Sequence, residues 1–371
     1  MFPLTDITQS SGWLILFGFI FVSLTVYLLS QWKDDRKKEK QTPISDVKIN
    51  IEPTSYPPVT PLLEFEWQNK EPVKLRPFKP KYNLTMSIEQ TTVDDLIEMD
   101  KNYLDRITLR RIIIHNHPEA VLAAESCAKP AIDEFYIWLV GTFLPTRFPR
   151  MFRLDQHASI LHSLVTDERL SIFPADSPVD TLRILGSLVD DDLLFLLPSS
   201  DGDGYTLKGF VTCFPNGFDT AKKLNLKLRD IHKPVPKYKE KLEKSMDRYF
   251  ERLRSGQFIK RANWTITTTD ALFAAHGNHL YEGESIPQED INIDTARVRC
   301  ERQMLHRLPQ SRAILFSFKT YLYPLPEIKQ EGLGETLAEA IDGLKQGNAP
   351  GFYFYKRAAV WGESVKHYLR S

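Results

Sequence analysis

The longest apolar run in the chain lies near its start. From Gly12 to Leu29, GWLILFGFIFVSLTVYLL, no charged residue appears. With Ser30, Gln31 and Trp32 the uncharged stretch is long enough to cross roughly 30 Å of hydrocarbon as a helix. The pattern therefore predicts a short tail over 1–11 and a transmembrane span over 12–32, with Trp13 and Trp32 suited to the two interfaces. A cleaved signal peptide fits less well, because no basic residue precedes the run and no small-x-small cleavage pattern follows it. The segment KDDRKKEK, Lys33 to Lys40, carries five basic residues against three acidic. That bias predicts a single-pass membrane protein with the bulk of the chain in the cytosol. In the opposite topology, the sequons at Asn83 and Asn263 become glycosylation candidates.

Beyond the span, residues 33–61 read as a basic and proline-rich linker, with Pro43, Pro53, Pro57, Pro58 and Pro61 breaking any regular period. The folded body is expected over 62–371. Cap-type residues Thr91 to Asp95 precede an apolar period through Leu96, Met99, Leu104, Ile107 and Ile112, so the pattern predicts a helix over Thr92–Asn116. A second helix is expected over Ala120–Phe143, stopped before Pro145. Leu193 to Leu197 and Tyr205 to Phe214 read as strands joined through SSDGDG, whose Asp-Gly steps supply the positive φ of a hairpin loop. Ala313 to Tyr321 reads as a strand with Ile314, Phe316 and Phe318 on one face. The fold class expected is α+β with an antiparallel sheet.

The middle of the chain is denser in polar residues. His232 stands between two elements in LRDIHKPVPKYKEKL. Pro234 disfavours helical angles at Lys233, which predicts an extended segment presenting the imidazole. A helix follows, with Tyr238, Leu242, Met246, Tyr249, Phe250 and Leu253 at spacings of three and four. Arg261, Asn263 and Trp264 open a strand whose plainest reading is an edge with a solvated arginine. For RVRCERQMLHRLP, Arg297 to Pro309, a helical period gathers Val298, Glu301, Met304, Leu305 and Leu308 on one side and Arg299, Arg302, Gln303 and His306 on the other. Glu301 interrupts the apolar stripe, and a carboxylate there needs a cation or donors, with Arg261 as a partner candidate. A structural tie and a chemical role both satisfy that need.

Composition narrows the function classes. Lys+Arg and Asp+Glu both number 48, so no global field favours nucleic acid, and no nucleic-acid partner is expected. Cys127, Cys213 and Cys300 are too far apart for a disulfide framework or a cysteine zinc site. Walker A, GxSxG, HExxH and the Rossmann glycine fingerprint are absent from the sequence. Asp190-Asp191-Asp192 and Asp201-Gly202-Asp203-Gly204 lack the terminal glutamate of a calcium loop and read as turn chemistry.

Taken in order, DDDLLFLLPSSDGDGYTLKGFVTCFP, IHKPVP, RANW, RVRCERQMLHRLPQSRAILFSFKTYLYPL and GFYFYKR resemble the haem-dependent oxidative N-demethylase α-subunit family, over roughly Leu62 to Arg357. The resemblance implies a PAS-like antiparallel fold around a noncovalent haem b and O₂-dependent removal of a methyl group from a small secondary amine, released as formaldehyde. It also implies His232 as the axial iron ligand, and Arg261, Asn263, Trp264, Arg299 and Arg302 as cofactor-binding residues. It further implies Glu301 and Gln303 as the catalytic residues, with Glu301 either tying one of those arginines or taking part in proton delivery. The electrons come from a separate flavin and iron–sulfur reductase, since this chain has neither the cysteines nor the dinucleotide fingerprint for one. The other function class compatible with these residues is a haem or small-ligand sensor or scaffold without turnover.

Overall fold

The computed structural model describes residues 53–371. The span expected at 12–32 and most of the linker lie outside the described residues. Among the described residues, no helix is long and apolar enough to cross a membrane. Within the described residues the proline-rich run is packed on the body: Tyr56 stacks on Trp138 with ring centroids 3.6 Å apart.

The frame is an antiparallel sheet built from β1 (Glu89–Thr91), β2 (Leu122–Ala124), β6 (Asp192–Pro198), β7 (Tyr205–Val211), β8 (Phe258–Thr267), β9 (Arg297–Arg307) and β10 (Ile314–Pro324), in the order β1-β8-β9-β10-β6-β7-β2. The strands β3 (Phe152–Asp155), β4 (Ile160–Ser163) and β5 (Glu168–Ser171) form a separate small meander. The α+β antiparallel class is thus the architecture observed.

Strand β9 overturns the helix expected over 297–309. It is paired along its length with β8 on one side and β10 on the other, Gln303 opposite both Arg261 and Phe318. A central strand covered on both faces loses the polar–apolar alternation that marks a half-exposed strand. Here the three-and-four spacing of Val298, Glu301, Met304 and Leu308 was coincidental. Side chains alternate across the strand, so Glu301, Gln303 and Leu305 share one face while Val298, Cys300, Arg302, Met304 and His306 share the other.

Two other helices differ from expectation. The first begins only at Tyr103: α1 is Tyr103–Asn116, preceded by a short turn at Val93–Asp95. Asp100 ends the first segment by accepting the Asn102 backbone N–H at 3.0 Å, an Asx-type break. In the second, Leu122–Ala124 pairs with β7 as a strand. The helix proper, α2 (Lys129–Trp138), continues through a wide π-type turn at Leu139–Phe143 into Leu144–Arg147, past Pro145. Opening the ladder just before the proline accommodates its missing N–H.

Helices cover both faces of the sheet. One core joins α1, α2 and α3 (Pro178–Gly186) to Leu193, Phe195, Phe258, Met304 and Leu315. A second joins α5 (Glu243–Arg252), α6 (Gly334–Gly343) and α7 (Ala358–Arg370) to Leu196, Leu207, Ile259 and Leu305. The short helix α4 (Leu228–Ile231) lies beside β7. The aspartates Asp190, Asp191 and Asp192, expected as turn residues, are at most 1% exposed. Arg110 pairs with Asp192 at 2.7 Å, and Lys319 lies 2.9 Å from Asp100 and 3.4 Å from Asp190.

Candidate functional site

One face of the sheet forms the floor of a cavity of about 270 Å³. Ile259, Arg261, Asn263 and Thr265 of β8, Glu301, Gln303 and Leu305 of β9, Phe316 and Phe318 of β10, and Leu194 and Leu196 of β6 all line it. Pairing register explains the assembly: Arg261–Gln303–Phe318 and Asn263–Glu301 are cross-strand neighbours on one face. Tyr82 and Ile88 contribute to one wall, and Asn216, Phe218 and Lys223 to another. His232, Met246 and Phe250, with His279, Tyr355 and Lys356, complete the enclosure.

His232 does not sit on an extended segment. It closes the helical turn α4 at φ −96° and ψ 0°, its backbone N–H donating to Leu228 O at 3.1 Å. Pro234 restricts only Lys233, the residue before the proline, and leaves His232 free to close the turn. The ring stacks on Tyr238 with centroids 4.9 Å apart, and Nδ1 lies 2.8 Å from Leu228 O. A carbonyl can only accept, so Nδ1 carries the proton and the lone pair is on Nε2. Burial lowers the pKa to about 4, which keeps the ring neutral at neutral pH. This is the posture of a metal-binding imidazole, with the distal nitrogen oriented by a backbone acceptor.

Glu301 is 5% exposed, and Gln303 Nε2 donates to its Oε2 at 2.6 Å. That contact is the local tie its burial demands. Arg261 is no solvated edge residue. Burial pulls its guanidinium pKa down, and its Nε is buried without a partner among the described residues. Asn263 Oδ1 accepts from Lys356 Nζ at 3.1 Å.

Three residues expected at a cofactor are placed elsewhere. Trp264 alternates to the far face, 4% exposed and edge-on to Phe78 at 5.6 Å. Arg302 is also on the far face, donating to the Asp95 carbonyl. Arg299 is on the cavity side of the strand, but its two terminal nitrogens are engaged behind the wall. Its NH2 donates to Phe214 O at 2.8 Å, Pro215 O at 2.9 Å and Leu272 O at 2.9 Å, and its NH1 to Ala271 O at 3.2 Å. Burial lowers its pKa to about 10. It pins the loop that carries Asn216 into the cavity.

Three functional groups were not singled out from sequence. His279 faces the cavity with Nδ1 3.4 Å from Gly217 O, its ring 4.5 Å from that of Tyr355 and its pKa lowered by burial to about 4. Lys223 rests over the Phe218 ring at 4.0 Å, and Lys356 donates to Asn263 and to the Trp264 carbonyl. Burial lowers both ammonium pKa values to about 8. Nothing in the spacing of a lone lysine signals this; Lys356 was visible only as part of GFYFYKR.

Aromatic walls and a few polar groups at fixed positions define the class: an α+β domain with a ligand-sized cavity on one face of its sheet. Residues 87–366 match the family model described as haem-dependent oxidative N-demethylase, alpha subunit-like. The chain belongs to this family. Its residues fit a haem by their chemistry. Two neutral imidazoles, His232 and His279, line the cavity with Nδ1 at a backbone carbonyl and a lone pair on Nε2, and Lys223, Arg261 and Lys356 line the same cavity without a carboxylate ion pair among the described residues, a donor set that suits an acidic macrocycle. Among the described residues no group of three or more His, Cys, Asp or Glu side chains gathers as a metal site, and iron held in a porphyrin needs no such group.

Proposed function

We propose that this chain binds haem b in the sheet-floored cavity, with His232 Nε2 as the axial ligand, and takes part in O₂-dependent N-demethylation of a small amine. The observation that carries this reading is the His232 geometry: a neutral ring lining the cavity with Nδ1 fixed 2.8 Å from Leu228 O, a closer hold than the 3.4 Å between His279 Nδ1 and Gly217 O. When bound, haem supplies the oxygen activation and oxidising power that no side chain here possesses.

The chain's own residues orient, shield and move protons. Gln303 fixes the Glu301 carboxylate through Oε2, which leaves Oε1 to exchange a proton with a bound amine. Phe316, Phe318 and Tyr82 exclude water from the space between them. The PAS-like description of the sheet belongs to this reading, supported by a cavity that lies on one face of an antiparallel sheet. Electrons come from a separate flavin and iron–sulfur reductase. The 12–32 span, on the sequence argument above, anchors the protein with its body in the cytosol.

Full-length protein reconstituted with haem is expected to show a Soret band that His232→Ala shifts or abolishes. Amine-dependent formaldehyde release with a reductase then separates turnover from a non-catalytic haem sensor. Colourless protein after reconstitution sinks the reading. Glycosidase sensitivity of the expressed chain, which reports modification at Asn83 or Asn263, would place the body in a lumen instead.

A further inference from the structure

The cavity contains more positive charge than its own residues neutralise. Lys223, Arg261 and Lys356 all line it, and among the described lining residues Glu301 is the only carboxylate. All three cations feel Glu301, yet none forms an ion pair with it or with another carboxylate among the described residues. Glu301 instead takes its hydrogen bond from the neutral Gln303 amide. Lys223 has an aromatic face for company, Lys356 an amide oxygen and a carbonyl, and Arg261 a buried Nε with no acceptor. Leaving cations buried without counter-charge is costly, and native proteins retain such groups where a ligand supplies the anion.

We propose that Lys223 and Lys356, together with Arg261, form a carboxylate clamp, so that the resident ligand of this cavity carries carboxylates against both lysines. The haem reading bears on the identity of that ligand; the requirement for negative charge comes from the side chains alone. Two sources share the chemistry: the propionates of a haem, and the carboxylate of an N-methyl amino-acid substrate. Lys356 is positioned for either, because Asn263 Oδ1 and the Trp264 carbonyl fix its ammonium on the strand β8 side.

The test is a Soret titration of the full-length protein with haem and with haem dimethyl ester, for wild type, Lys223→Met and Lys356→Met. Methionine keeps the length of the side chain and removes the charge, and retained binding of the ester shows that a variant is folded. The clamp on propionates predicts that each variant weakens haem by roughly tenfold or more, the scale of one charged hydrogen bond, and leaves the ester unchanged. If haem and ester bind alike, N-methylglycine is compared with dimethylamine as a perturbant of the Soret band. A response to the amino acid alone, lost in both variants, assigns the clamp to substrate. Equal behaviour of haem and ester with no carboxylate-dependent response overturns the clamp and leaves the haem reading standing. Absence of any Soret band overturns both.

Discussion

Arg110 and Asp192 form a fully buried ion pair, with 2.7 Å between NH1 and Oδ1. The consequences of this pair reach the cavity. Asp192 also accepts the backbone N–H of Cys213 at 2.7 Å and of Phe214 at 2.9 Å, and the carbonyl of Phe214 accepts from Arg299. The wall loop is therefore held from both sides of its peptide groups. Removing one partner of such a pair leaves an uncompensated buried charge. Arg110→Leu or Asp192→Leu is expected to cost about 3–5 kcal/mol, read as a lowered urea midpoint at unchanged slope.

Gly217 lies on the same loop at φ +73°, and a Cβ there would approach Asn278 Cβ to 2.7 Å and its backbone N to 3.0 Å. Both the left-handed backbone and the contact exclude a side chain. Gly217→Ala is expected to lose about 1–2 kcal/mol from the backbone conformation alone, plus the clash. Because His279 Nδ1 faces Gly217 O, ligand affinity should fall together with thermal stability, measured on the same samples.

The two faces of β9 give opposite phenotypes. Arg302→Met on the far face removes the donor to Asp95 O and is expected to cost roughly 1–3 kcal/mol in stability while leaving haem affinity at its wild-type value. Glu301→Gln on the cavity face is expected to keep the Soret band and the fold but to lower amine-dependent formaldehyde release roughly 100-fold, the low end of what a positioned proton-transfer group supplies. A Glu301→Gln variant with full turnover would remove the carboxylate from proton delivery.

Stability should depend on pH with two opposing contributions. Burial depresses His232 and His279 to about 4 and His306 to about 3, so the unfolded chain binds protons first as pH falls. Stability from these rings is present above about 6.5 and is lost as pH falls toward 4. Burial raises Asp191 to about 7, with its two oxygens lacking partners, so the folded state binds the proton. That contribution is present below the ordinary carboxylate range and is lost as pH rises through about 7. Urea titrations of the apoprotein from pH 4 to 8 should therefore show wild type minus Asp191→Asn falling with rising pH. The same difference taken with His306→Phe should fall with decreasing pH.

Much of the sheet was legible residue by residue. Leu193 to Leu197, SSDGDG and Tyr205 onward gave the β6–β7 hairpin because the turn chemistry is local. Ile314, Phe316 and Phe318 share a face because strand alternation is local as well. Strand β9 was misread for a physical reason: buried on both sides, it carries Glu301, Gln303 and Leu305 toward a cavity of mixed polar and apolar lining and Cys300, Arg302 and His306 toward the opposite face. No one-dimensional period separates those two environments.

The cavity's partners became identifiable only through pairing. Arg261, Glu301 and Gln303 are neighbours because β8 and β9 run antiparallel in one register, whereas Arg302 and Trp264, one residue along, are excluded by the same alternation. Lys223, His279 and Lys356 arrive from segments far apart in the chain, brought together by the closure of helices and loops over the sheet. By itself, the order of side chains along the polypeptide determined the β6–β7 hairpin, the α+β class and the presence of an imidazole followed by two prolines. Which charges share one cavity, and which are left without counter-ions among the described residues, was decided by the tertiary structure, because electrostatic partners depend on distance through space and on burial.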